Sequence, residues 1–187
     1  MAALKTYITL LRGINVSGQK KIRMAELKAL YESVGHQDVK TYIQSGNVLL
    51  RSRAAKESSI SRGIEDAIRK NFGYPVTVLV RTPGDLEKIV KNNPYLENRS
   101  VDRSRLYVTF LLNSPEPGLA EAAAEIESGD DTFRVAGMEV FVYCPGGYGK
   151  TRLSNTFFEK KLKQVATTRN WNTVNKLLEL GVALESM

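Results

Sequence analysis

Residues 39–53, VKTYIQSGNVLLRSR, decide the architecture. They read as two short strands, 39–44 and 47–53, on either side of Ser45-Gly46, a tight hairpin signal. Toward the N-terminus, residues 5–12 (KTYITLLR) are β-branched and apolar, as a buried strand requires. Between that strand and the hairpin, Met24, Leu27, Leu30, Tyr31 and Val34 recur at helical spacing, with Gly35 placed as a C-cap. Beyond the hairpin, Ile60, Ile64, Ala67, Ile68 and Phe72 mark a second helix ending near Gly73. Residues 75–81 (PVTVLVR) form a further strand, which Pro75 can only begin. The order is β-α-β-β-α-β, a split βαβ unit with helices on one face of an antiparallel sheet. A third helix is expected to start at Pro83, a good first-turn residue.

Pro94 and the polar stretch 97–104 read as a linker, after which the order begins again. Residues 105–112 (RLYVTFLL) are a strand, Leu119, Ala122, Ala123 and Ile126 mark a helix, and 132–136 and 138–144 form a hairpin about Ala136-Gly137. Two helical stretches, 155–166 and 171–181, follow with no clear closing strand between them. The expected fold is therefore α+β. It has two ferredoxin-like (split βαβ) subdomains with antiparallel sheets, plus C-terminal helices. Residues 1–98 form the first subdomain and 99–187 a second, incomplete one with the C-terminal helices, either as separate domains or packed as one unit.

The chain of 187 residues is long enough for a sizeable core, and its 42% hydrophobic and 25% charged content is that of a globular protein. Its apolar runs are too short for a membrane span, and no apolar leader precedes the first strand, so a cytoplasmic protein without membrane contact is expected. The single cysteine, Cys144, excludes an internal disulfide and any Cys-rich zinc site. Charge is uneven within the net +7: residues 1–100 carry +8, residues 101–149 carry −5, and residues 150–187 carry +4. Basic clusters at Lys20, Lys21 and Arg23, at Arg51, Arg53 and Lys56, and at 150–163 either attract phosphates or form solvated surface.

Catalytic signals are weak. Gly146-Gly147-Tyr148-Gly149-Lys150-Thr151 approaches a phosphate-binding loop, but Cys144 stands where such a loop needs its first glycine. No apolar strand ends in an Asp suited to magnesium, which leaves a Gly-rich segment presenting Lys150 and Arg152, or a plain connection. His36, the only histidine, makes no ligand set with one distant cysteine, so no metal site is expected. No acid–base pair can be named. Polar residues instead gather at the ends of elements: Arg12 and Asn15; Gln44, Ser45 and Asn47; Thr167, Thr168, Arg169, Asn170 and Asn172 beside Trp171. Turn chemistry and capping explain the amides and hydroxyls. Arg12 and Arg169 supply only donors, which suits carboxylate, phosphate or backbone carbonyls.

LLRGINV at 10–16, KTYIQSGNV at 40–48 and TTRNWNTV at 167–174 together resemble the bacterial family catalogued as domain of unknown function 1697. Ser17 stands where that pattern leads one to expect a second loop glycine. The resemblance implies two ferredoxin-like subdomains plus C-terminal helices, and it assigns no activity, cofactor or catalytic residue. The matching positions are Arg12, Gly13, Asn15, Tyr42, Gln44, Ser45, Gly46, Asn47, Thr168, Arg169, Asn170 and Trp171.

Three functional expectations follow. The first is a non-catalytic binding protein for an anionic ligand, nucleic acid or a phosphorylated metabolite. Arg12, Lys20, Lys21, Lys150, Arg152 and Arg169 would supply charge, Gln44, Asn47 and Asn170 would orient the ligand, and Asn15, Tyr42 and Ser45 complete the candidate ligand-binding residues. The second is a small-substrate enzyme, with Tyr42, Ser45 and Cys144 as actors in a shared polar cleft. The third makes the motifs purely architectural.

Overall fold

The computed structural model describes residues 3–16, 18–54, 56–126 and 128–187. Its elements run β1 (Lys5–Leu11), α1 (Met24–Ser33), β2 (Gln37–Tyr42), β3 (Asn47–Ser52), α2 (Glu57–Phe72), β4 (Val78–Arg81) and α3 (Pro83–Lys91). They continue with β5 (Leu106–Leu111), α4 (Leu119–Ala124), β6 (Thr132–Ala136), β7 (Glu139–Tyr143), α5 (Asn155–Leu162), β8 (Ala166–Asn170) and α6 (Trp171–Glu185). Two four-stranded sheets result, ordered β2-β3-β1-β4 and β6-β7-β5-β8, and every neighbouring pair is antiparallel.

The chain divides into two compact units. One comprises residues 1–87 with 176–187, the other residues 88–175. The sequence suggested a division near residue 98; the divisions fall instead inside α3 and α6. In the first unit the period-2 alternation of β1 turns Tyr7, Thr9 and Leu11 toward α1 and α2. There Leu27, Leu30 and Tyr31 of α1 and Ile60, Ile64 and Ile68 of α2 pack on Val48, Leu50, Val78 and Val80. Each such large apolar side chain contributes about 1.5–3 kcal/mol on burial. Thr9 is buried, and its hydroxyl lies 2.9 Å from that of Tyr31. Burial holds the Tyr31 phenol protonated far above its ordinary range, against the smaller opposing pull of the Thr9 hydrogen bond. On the other face, Gly181 of α6 lies close against Ile8 and Pro83; a Cβ there would sit 3.2 Å from Ile8 Cδ1.

The second unit repeats this plan and completes it. The segment read from sequence as a connection between two helices is β8, paired with β5 from Tyr107↔Asn170 to Leu111↔Ala166. Its ATTRN sequence has only one apolar residue, so it carries no hydrophobic alternation to find; the β-branched Thr167 and Thr168 are at home in a pleat because their hydroxyls are bonded inside the unit. α5 accordingly ends at Leu162, with Lys163 in the left-handed conformation at its C-cap. Leu111, Val140, Val142 and Ala166 of the sheet meet Phe158 and Leu162 of α5, with Phe133, Phe157 and Phe158 in edge-to-face contacts.

Both hairpins differ in their turns from the reading of the sequence. The last β2–β3 pair is Tyr42↔Asn47, so the loop has four residues, 43–46, in place of a two-residue turn. The β6–β7 pair Ala136↔Glu139 makes Gly137-Met138 the turn.

Candidate functional site

In the first unit the β1–α1 connection and the β2–β3 loop meet. Asn15, with φ of 54°, donates through Nδ2 to the carbonyls of Ile22 and Gln44, both at 2.9 Å, and accepts from the Ile22 N–H at 2.9 Å. One side chain thereby ties three backbone groups from two segments. Gly46 adds a second tie. Its carbonyl accepts from Leu11 N at 2.9 Å, and a Cβ at Gly46 would lie 2.8 Å from Leu11 Cβ and 3.0 Å from two Ile14 side-chain carbons. With φ of 79° as well, only glycine fits. Ile43 beside it is β-branched yet has φ of 50°, an uncommon and strained conformation.

These ties frame a cleft of about 770 Å³. Its polar wall is formed by Asn15, Gln44, Lys21, Arg23 and Glu26, and its remaining wall by Gly18, Ile22 and Met24. Arg23 is the N-cap of α1 and gives no side-chain cap, and Arg23, Met24 and Glu26 at the start of that helix line the same space. Lys21, Arg23 and Glu26 are exposed, and among the described residues their side chains make no hydrogen bond or ion pair.

Of the residues singled out from sequence, Asn15, Lys21 and Gln44 line this cleft. Tyr42, Ser45 and Asn47 do not. Asn47 is fully buried and donates to the Tyr42 carbonyl at 3.1 Å and to Ser45 Oγ at 2.9 Å, holding the loop closed. Arg12 is half-buried, and its backbone N–H donates to the Thr77 carbonyl. Lys20 turns its ammonium onto the Pro75 carbonyl at 2.7 Å and is not part of the cleft wall. Ser17 lies outside the described residues.

The remaining candidates belong to the second unit. Thr168 Oγ1 is the hub of a hydroxyl network, 2.7 Å from Thr109 Oγ1, accepting from Tyr148 at 3.0 Å and donating to Asn155 Oδ1 at 2.7 Å. Tyr148 also stacks at a tilt on Tyr107, with centroids 4.8 Å apart, which fixes the Gly-rich segment to the sheet. Lys150 and Arg152 project from that segment into solvent. Arg169 is buried and donates to Thr167 Oγ1 at 2.8 Å and to the Thr168 carbonyl at 2.9 Å; burial pulls its guanidinium down to about 10. Asn170 Oδ1 caps α6 by accepting from Thr173 N at 2.8 Å, and Trp171 is buried at the start of that helix. Cys144 lies in the apolar core, where burial raises its thiol above the ordinary range despite a hydrogen bond from Thr151. It is a packed small hydrophobe, not an exposed nucleophile.

Arg23, Met24 and Glu26 are not among the ligand residues expected from the sequence. The basic Lys20–Arg23 cluster was visible in the sequence, but its place beside the Gln44 loop depends on the tertiary ties of Asn15 and Gly46. Among the described residues no helix is long and apolar enough to cross a membrane, and no group of three His, Cys, Asp or Glu could hold a metal ion.

A family model described as "Protein of unknown function (DUF1697)" matches residues 4–141. Among solved structures, the chain is similar to the conserved bacterial protein SP0830 from Streptococcus pneumoniae, with a TM-score of 0.73 and 23% identity over 96% of this chain and 99% of that one. At that identity the likeness shows the shared fold alone. No curated protein matches the chain.

Proposed function

The chain belongs to the DUF1697 family of proteins of unknown function, and we propose that it binds a small phosphorylated molecule in the cleft between the β1–α1 connection and the β2–β3 loop. The observation that carries this reading is the gathering of Lys21 and Arg23, both unpaired among the described residues, with the Gln44 amide in the lining of one cleft. Exposed cations of this kind each contribute about 1 kcal/mol to holding an anion, and the neutral Gln44 amide orients its oxygens. The first-turn N–H groups of α1 add donors of the same sense. The cleft is local and built from one unit, which favours a compact ligand over a polymer tracked across an extended surface.

Titration calorimetry with inorganic phosphate and ethyl phosphate, beside fluorescence anisotropy with labelled single-stranded RNA, tests the reading. We expect phosphomonoester binding that weakens by about thirtyfold in Lys21→Ala/Arg23→Ala, from two contributions of about 1 kcal/mol each, and persists in Lys150→Ala/Arg152→Ala. Absence of phosphate binding overturns the proposal, as does loss only in the second double variant. Tight RNA binding that falls steeply between about 50 and about 200 mM salt would transfer the ligand class to nucleic acid.

A further inference from the structure

The cleft wall is not uniformly basic. Glu26 lies on it with Lys21 and Arg23, and all three side chains are exposed and unpaired among the described residues. Opposite charges sharing a small wall would ordinarily neutralise one another through an ion pair within 4 Å. Glu26 also occupies the third helical position of α1, where a carboxylate often reaches back to the N-cap backbone N–H. It makes no such bond here. Its place in the first turn favours the helix dipole wherever the side chain points, so helix stability explains the residue type and leaves its open carboxylate unexplained.

Resting on the phosphate-binding reading above, we infer that the ligand is amphoteric: a phosphomonoester carrying a protonated amine, with the phosphate on Lys21 and Arg23 and the ammonium on Glu26. A purely anionic ligand would be repelled by Glu26. An amine on a short carbon chain turns that repulsion into attraction, and the apolar surface of Ile22 and Met24 suits the connecting carbons. Glu26 thereby acts as the specificity-determining residue of the cleft.

The test compares ethyl phosphate with 2-aminoethyl phosphate, which match in size and differ in the amine, on the full chain and on Glu26→Gln. The wild-type chain should bind the amine-bearing ester about two- to fivefold more tightly, the range of one exposed ion pair. Glu26→Gln should lose that preference while holding or improving its affinity for ethyl phosphate. Equal affinity of the wild-type chain for the two esters overturns the inference and leaves the phosphate reading standing. A preference that survives in Glu26→Gln overturns it too, because another group would then be reading the amine. Failure of both esters to bind overturns the phosphate reading on which it rests.

Discussion

The central strands of the two units are nearly the same text. Tyr7-Ile8-Thr9-Leu10-Leu11 in β1 corresponds to Tyr107-Val108-Thr109-Phe110-Leu111 in β5, and each threonine is fully buried. Their hydroxyls are satisfied from different directions. Thr9 meets Tyr31 from the covering helix α1 and donates to the Val48 carbonyl of β3, whereas Thr109 meets the Thr168 side chain on the neighbouring edge strand, which in turn holds Tyr148 and Asn155. A buried hydroxyl in the first unit thus fastens a helix to the sheet, and in the second it fastens a polar closing strand and the loop above it. The same strand serves two architectures, and the difference lies in where its buried threonine finds a partner.

The hairpin glycines sharpen the contrast and give the largest expected effect. Gly46 and Gly137 both have positive φ, but only Gly46 has side chains where a Cβ would go. Gly46→Ala should cost about 3 kcal/mol, combining about 1–2 for the left-handed conformation with about 1–3 for overpacking. Gly137→Ala should cost only about 1–2 kcal/mol, the conformational part alone. Urea denaturation of the two variants measures both, and equal losses would break the distinction between the hairpins.

Next in size is the network hub. Thr168→Val deprives Thr109, Tyr148 and Asn155 of a partner at once and should cost about 2–3 kcal/mol, while Thr9→Val deprives the Tyr31 hydroxyl and removes one bond to the Val48 carbonyl, and should cost about 1–2 kcal/mol. A Thr9→Val loss as large as that of Thr168→Val would mean that the two hydroxyls carry similar loads.

The legibility of the sequence follows the same division. The first unit could be read because β1, β3, α1 and α2 bury apolar residues at the periods of strand and helix. β8 escaped because its stabilising side-chain contacts are hydrogen bonds between Thr168 and Thr109, Tyr148 and Asn155, which leave no hydrophobic signature. Motif reading found Asn15 and Gln44 in the cleft but also gathered Asn47 and Asn170, whose amides close a loop and cap a helix. Amides serve turns, caps and ligands alike, so residue type could not separate these roles. The four-residue β2–β3 loop was hidden for a related reason: Ile43 at positive φ is a residue no turn preference would choose.

A smaller effect is expected at Asn15. Asn15→Ala removes three hydrogen bonds from a half-buried site, and should cost about 1–2 kcal/mol. It should weaken phosphate binding more than it weakens the fold, seen as a loss of affinity well below the melting temperature. Unchanged affinity would separate the tie from the cleft.

The smallest effect concerns pH. Burial lowers the His36 imidazole below its ordinary value of 6.5, so the unfolded chain takes up the proton first. Its contribution to stability is therefore complete above that value and declines as pH falls from 6.5 through the lowered folded value. His36→Gln should flatten this part of the acid limb in denaturation curves, and an unchanged slope would place the acid sensitivity elsewhere.

The most direct test of the cleft assignment is amide chemical-shift mapping of the full chain with ethyl phosphate. The account predicts that the largest perturbations fall at Gly18, Lys21, Ile22, Met24 and Glu26, with Gln44 following across the loop. Perturbations centred on Lys150 and Arg152, or none at saturating phosphate ester, would contradict it.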